Sequence, residues 1–216
     1  SDRVYQWNLS SAWDLSSGVS VVSTSLYVGN QASSPNSMDF NSDGTKLYVI
    51  DYNGNIYQYG LTAGFNISTA SYDSVTSGQL STTDCMGMRF NSYGTKIFIQ
   101  RAAGPVETYN LSPAYDITSA TLDSGATWTT GLTGVWGISF SPSGHYVYLG
   151  DNSNTSYPRF KQYTSGTGVS YTYSYSQYSP ALTNSSNGQI NSSSWQDINS
   201  MTADETIIGK HKFEQW

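Results

Sequence analysis

Three stretches of the chain repeat one another at a fixed spacing: SMDFNSDGTKLYVID (37–51), GMRFNSYGTKIFIQR (87–101) and GISFSPSGHYVYLGD (137–151). Phe40, Phe90 and Phe140 stand about 50 residues apart at each step. A period of this length marks an architecture in which one supersecondary unit is stacked on the next. A weaker copy, DINSMTADETIIGKH (197–211), puts Met201 in the Phe place.

Each copy reads as a short alternating apolar run, a polar turn and a second alternating run, the pattern of a β-hairpin. The turns carry Asp43-Gly44, Tyr93-Gly94 and Ser143-Gly144, whereas the weaker copy has no Gly there. A third run follows each hairpin: NIYQYGL (55–61), PVETYNL (105–111), RFKQYTS (159–165) and KFEQW (212–216). One more, RVYQWNL (3–9), precedes any hairpin, so that Trp7, Tyr59, Tyr109, Tyr163 and Trp216 share one place. The turn segments that come next align Asp14, Asn66 and Asp116, short polar side chains able to close a turn on their own backbone. A more variable fourth strand is expected over 19–28, 71–77, 121–125 and 169–175.

Four strands per unit with no helical pattern predict an all-β chain, a β-propeller of four-stranded antiparallel blades. About four blades are expected, with five as the alternative, and the last is degenerate. The single domain, 1–216, divides into a partial first blade (1–34), blades at 35–78, 84–125 and 134–177, and a partial last blade (195–216). Propellers commonly close by completing one blade from both termini, which protects an open sheet edge. Here the third strand is offered twice, so a subunit-completing oligomer is the other solution.

Composition narrows the function. Only 11 % of residues are charged, which excludes coiled coils and long exposed helices. The net charge is −6, and no Lys or Arg cluster follows the aromatic residues, so nucleic acid is not an expected partner. Cys85 is the only cysteine, leaving neither an intramolecular disulfide framework nor a cysteine zinc site. No run approaches 18 apolar residues and no basic-then-apolar leader opens the chain; neither membrane insertion nor a signal peptide is expected.

The strings around SDGTKLYV, IYQYGL and YDITSA resemble a propeller repeat of marine phage tail-fibre and structural proteins and of aquatic bacterial surface proteins. The resemblance covers 3–165 well and 195–216 poorly. Departures are Tyr93 for Asp, Thr108 for Gln, and Gly166-Thr167-Gly168 in place of the Asp turn. The resemblance implies a scaffold displayed on a virion or cell surface, with other virion or surface proteins as partners, and it brings no catalytic residues with it.

Within a blade, the loops after the first and third strands emerge on one face, and those after the second and fourth on the other. The second face holds the irregular segments, 29–37, 78–85, 100–105, 151–158 and 177–194, and variable loops on a rigid frame are the usual seat of binding. Tyr52, Trp128, Tyr157 and Trp195 are its candidate aromatic platforms, assisted by Asp151, Asn152 and Asn154; rings beside amides and carboxylates suit a host glycan. Packing between blades is the competing reading for Trp128 and Trp195. Tyr171, Tyr173 and Tyr175 alternate with Thr172 and Ser174, forming a stripe for subunit contact in a homo-oligomer or for inter-blade packing.

No metal or cofactor is expected. Asp39 has Arg89 and Ser139 at the matching places, so no acidic ring recurs, and one Asp does not supply the six to eight oxygens Ca²⁺ takes. His145 and His211 lack a third ligand in register. The reading is therefore of a non-catalytic binding or structural module, with a secreted lectin-like module as alternative and a metal-dependent hydrolase behind both.

Overall fold

The computed structural model describes residues 2–21, 25–81, 83–152, 159–164 and 170–174. The chain divides into two compact units, Ser1–Ile138 and Ser139–Trp216. In the first unit the strands are β1 (Arg3–Val4), β2 (Trp7–Ser11), β3 (Asp14–Val21), β4 (Leu26–Tyr27), β5 (Pro35–Phe40), β6 (Lys46–Asp51), β7 (Asn55–Leu61), β8 (Ala70–Gln79), β9 (Cys85–Phe90), β10 (Lys96–Arg101), β11 (Val106–Asn110) and β12 (Thr121–Leu122). Then come β13 (Val135–Phe140), β14 (Tyr146–Asp151), β15 (Arg159–Thr164) and β16 (Ser170–Ser174).

Three four-stranded sheets result, each in chain order: β5-β6-β7-β8, β9-β10-β11-β12 and β13-β14-β15-β16. Ahead of them, β2 pairs with β3 and β1 with β4, so the opening segment has strands of third and fourth type only. The fourth strand is the least regular. In the second sheet it shrinks to Thr121–Leu122, followed by a 3-10 turn and a single bridge from Trp128 to Val106.

The core of the first unit is organised by β6, whose residues from Leu47 to Asp51 are all buried. Successive side chains point to opposite faces. Tyr48 and Ile50 join Met88, Ile97, Ile99 and Tyr109 of the second sheet, while Leu47 and Val49 join Val28, Ala32 and Tyr59 on the other side. Full burial of such a side chain is worth roughly 1.5–3 kcal/mol, so the first sheet is stabilised through both faces. The first strands β5 and β9 also pack on each other. Asp39 Oδ2 accepts the Phe90 N–H at 2.9 Å, Ser37 Oγ accepts the Met88 N–H at 3.2 Å, and Arg89 Nη1 lies 3.5 Å from Asp39 Oδ1. Burial raises the Asp39 carboxyl above the usual range, against the opposing pull of that N–H and the Arg89 charge.

The turns after the first strands repeat in detail. Asn41 and Asn91 each accept the N–H of the first residue of the next strand, Lys46 at 2.9 Å and Lys96 at 3.0 Å. Gly44 and Gly94 adopt φ of +71° and +69°, and each is roofed by the ring of an aromatic from the turn after the third strand, Phe65 and Tyr115. Those aromatics precede the aligned Asx residues. Asn66, Asp116 and Asp14 each accept a backbone N–H two residues on, at 3.1, 3.0 and 2.8 Å.

Candidate functional site

On the opposite face, the loops after the second and fourth strands are joined through their main chains. Tyr52 donates its N–H to Ser34 O at 2.9 Å and receives the Asp84 N–H on its own carbonyl at 2.9 Å. Asp84 O in turn accepts from Ala102 N–H at 2.9 Å, and Ala102 O accepts from Val135 N–H at 2.8 Å. One string of backbone bonds thus runs from the loop before β5 to the start of β13.

Side chains on this string differ from sheet to sheet. After β6, the Tyr52 hydroxyl donates to Asp84 Oδ1 at 2.8 Å, and that bond raises the pKa of the phenol. Asp84 holds φ +87°, a left-handed value that Asp tolerates better than most residues. Beneath Tyr52, the buried Asp51 accepts the Asn55 N–H at 2.9 Å and closes the turn. In the next sheet Arg101 occupies the Asp51 place; its Nε donates to Thr83 O at 3.3 Å, and Nη1 lies 3.9 Å from Glu107 Oε1.

The sequence candidates fall out as follows. Tyr52 is partly exposed on the loop face and Asn152 is exposed beyond β14. Asp151 is buried at the end of β14, opposite Arg159 in register, the same place that Asp51 fills in the first sheet. Trp128 is half-buried and exchanges two backbone bonds with Val106, at 2.8 and 2.9 Å, which puts it on the outer edge of the second sheet. Tyr171 and Tyr173 lie on β16 opposite Gln162 and Phe160. Asn154, Tyr157, Tyr175 and Trp195 lie outside the described residues. Among the described residues no three His, Cys, Asp or Glu side chains cluster as metal ligands would.

Sequence reasoning missed a cleft of about 290 Å³ in the first unit, lined by Arg3, Tyr5, Trp7, Asn36, Met38 and neighbours. The Tyr5 and Trp7 rings, both exposed, lie 6.0 Å apart there. The available signal was the aromatic pair Tyr5 and Trp7 in the opening strand run.

Antiparallel four-stranded meanders in chain order, with the first strands β5 and β9 packed on each other, make this chain a β-propeller. No family model and no curated protein matches it. Among solved structures, it is similar to the β-propeller domain of Cps50 (Swd1) from Myceliophteria thermophila, at 14 % identity over 64 % of this chain and 42 % of that one, TM-score 0.44. Two proteins each named "putative 6-phosphogluconolactonase" are also similar. The one from Bacteroides uniformis ATCC 8492 has 14 % identity over 70 % of this chain and 46 % of that one, TM-score 0.45. The one from Bacteroides fragilis NCTC 9343 has 15 % identity over 79 % and 47 %, TM-score 0.48. The chain spans less than half the length of each of the three. The expectation that the chain is not an enzyme is corrected by this comparison: propellers named for a lactonase share the fold, which gives no ground for that exclusion.

Proposed function

We propose that the chain is a displayed recognition propeller, carried on a virion or cell surface, which presents its variable loop face outward and joins neighbouring surface proteins. The observation that carries this reading is the main-chain string from Ser34 to Val135. It fixes the loops through their main chains, so Tyr52-Asn53 and Ala102-Ala103 are left to differ on a constant frame, as recognition surfaces require. Mass spectrometry of purified particles and of surface fractions from the source organism tests it; the chain is expected in one of them, and its confinement to another fraction refutes the proposal.

A second reading, glycan recognition on the same face, is favoured by the Tyr52 ring, whose hydroxyl is already held by Asp84 and whose plane is partly exposed. On a glycan array, binding lost in Tyr52→Ala and Trp128→Ala supports it; an array with no bound glycan disposes of it.

A further inference from the structure

The turn that leads from β6 into β7 carries Asn53 directly before Gly54, and Asn53 is exposed. Among the described residues, nothing bonds its side-chain amide. Other turn asparagines are engaged. Asn41 and Asn91 accept the Lys46 and Lys96 N–H groups and donate to Thr45 Oγ1 and Thr95 Oγ1, at 3.2 and 3.0 Å. Asn66 accepts the Ser68 N–H at 3.1 Å. Each of these three is followed by a residue with a Cβ, Ser42, Ser92 or Ile67, whereas Gly54 leaves its nitrogen uncovered.

A free amide beside an uncovered peptide nitrogen has a reaction open to it in water. The Gly54 nitrogen gives up its proton and bonds to Asn53 Cγ, the Cγ–Nδ2 bond breaks, and ammonia leaves with that proton. Water then opens the cyclic imide at one of its two carbonyls, leaving aspartate or isoaspartate. The geometry sets what opposes closure. Gly54 N–H donates to Asp51 O at 3.1 Å, and the Gly54 carbonyl accepts from Leu80 N–H at 3.1 Å. Bringing the nitrogen onto Cγ swings the peptide between the two residues, which turns Asn53 ψ and Gly54 φ; it breaks the first bond and leaves the second in place. Gly54, at φ +84°, is the residue type that admits both signs of φ. One backbone hydrogen bond is worth about a factor of ten or less, so the fold slows the reaction without stopping it.

We propose that Asn53 is a site of spontaneous, irreversible covalent modification, by which the chain acquires a carboxylate at this turn as it ages. The new charge lies next to Tyr52, whose hydroxyl is held by Asp84, on the face that carries the variable loops. The isoaspartate form also adds a methylene to the main chain just after a node of the backbone string, since Tyr52 both donates to Ser34 O and accepts from Asp84 N–H. The modification does not rest on the reading of the chain as a recognition module; it holds whatever that face meets.

The test incubates the full chain in mildly alkaline buffer over weeks, beside a synthetic peptide reproducing residues 50–57. Tryptic mapping with fragment spectra follows each asparagine, and enzymatic methylation of isoaspartate reads the rearranged product. Asn53 is expected to convert no more than about tenfold more slowly than the peptide, to give isoaspartate as well as aspartate, and to speed up in proportion to hydroxide. Asn41, Asn66 and Asn91 are expected to stay amides. The second Asn-Gly pair, 187–188, lies outside the described residues and falls in a different tryptic peptide. Asn53 left intact while the peptide converts, conversion of Asn41, Asn66 or Asn91 at the same rate, or aspartate with no isoaspartate overturns the proposal. None of these results bears on whether the chain is found in particles or surface fractions.

Discussion

Replacing Gly94 by Ala tests how the repeated turns are locked, because Gly131 provides a matched control. Both glycines sit at φ +69° in the first unit. A methyl on Gly94 falls inside the Tyr115 ring, whereas one on Gly131 meets nothing within 4 Å. Left-handed backbone costs an Ala about 1–2 kcal/mol, and that alone is expected for Gly131→Ala. Gly94→Ala adds the overpacking of a ring held 5.2 Å from Phe90, another 1–3 kcal/mol by the usual range for forced cores. With about 2–4 °C of melting temperature per kcal/mol in a chain of this size, Gly94→Ala should melt about 2–12 °C below Gly131→Ala. In a Tyr115→Ala background the two glycine substitutions should cost the same, the coupling being the ring contact. Thermal unfolding followed by circular dichroism reads the parent and the five variants. Equal losses for the two single substitutions refute the account of the ring as a lock on the turn.

Asp116 is held below the usual carboxylate range by its bonds to the Thr118 side chain and backbone. A lowered folded value means stability present above the unfolded value near 3.8 and lost as pH falls below it. Asp116→Asn, which copies Asn66, should therefore match the parent at neutral pH and lose less on acidification below about pH 4; a parent with an identical acid limb contradicts this. Asp116→Ala should cost about 1 kcal/mol at pH 7, read by urea unfolding. Burial pushes the Cys85 thiol up to about 11, so at pH 8 a maleimide should label the native chain far more slowly than the urea-unfolded one, and equal rates refute that burial.

The hairpins and Asx turns were legible because each is written in adjacent residues. Leu47 to Ile50 is an unbroken apolar run bounded by turn residues, the mark of a strand buried on both faces, and Asp14, Asn66 and Asp116 make their bonds two residues away. What escaped is written across distances. Phe65 and Tyr115 look like ordinary turn neighbours until they are seen roofing Gly44 and Gly94, some twenty residues back. Asn41 and Asn91 hide within Phe-Asn-Ser strings that composition explains equally well. Asp151 reads as a loop residue beside Asn152, but the strand reaches one residue further and buries it, as it buries Asp51. Trp128 could not be placed because the second fourth strand breaks after Leu122 and resumes only as a bridge.

The seam from Ser34 through Tyr52, Asp84 and Ala102 to Val135 is made of amides and carbonyls alone. Most residues can stand at Tyr52 and Ala102 without unfastening neighbouring blades, proline excepted, having no hydrogen to give, whereas the φ of +87° at Asp84 favours Gly, Asn or Asp there. A library randomised at Tyr52 and Ala102, with Asp84 kept, should stay folded across most of its members. The scaffold can thus trade one surface for another at little structural cost, a property useful equally to natural selection and to whoever grafts a paratope onto it.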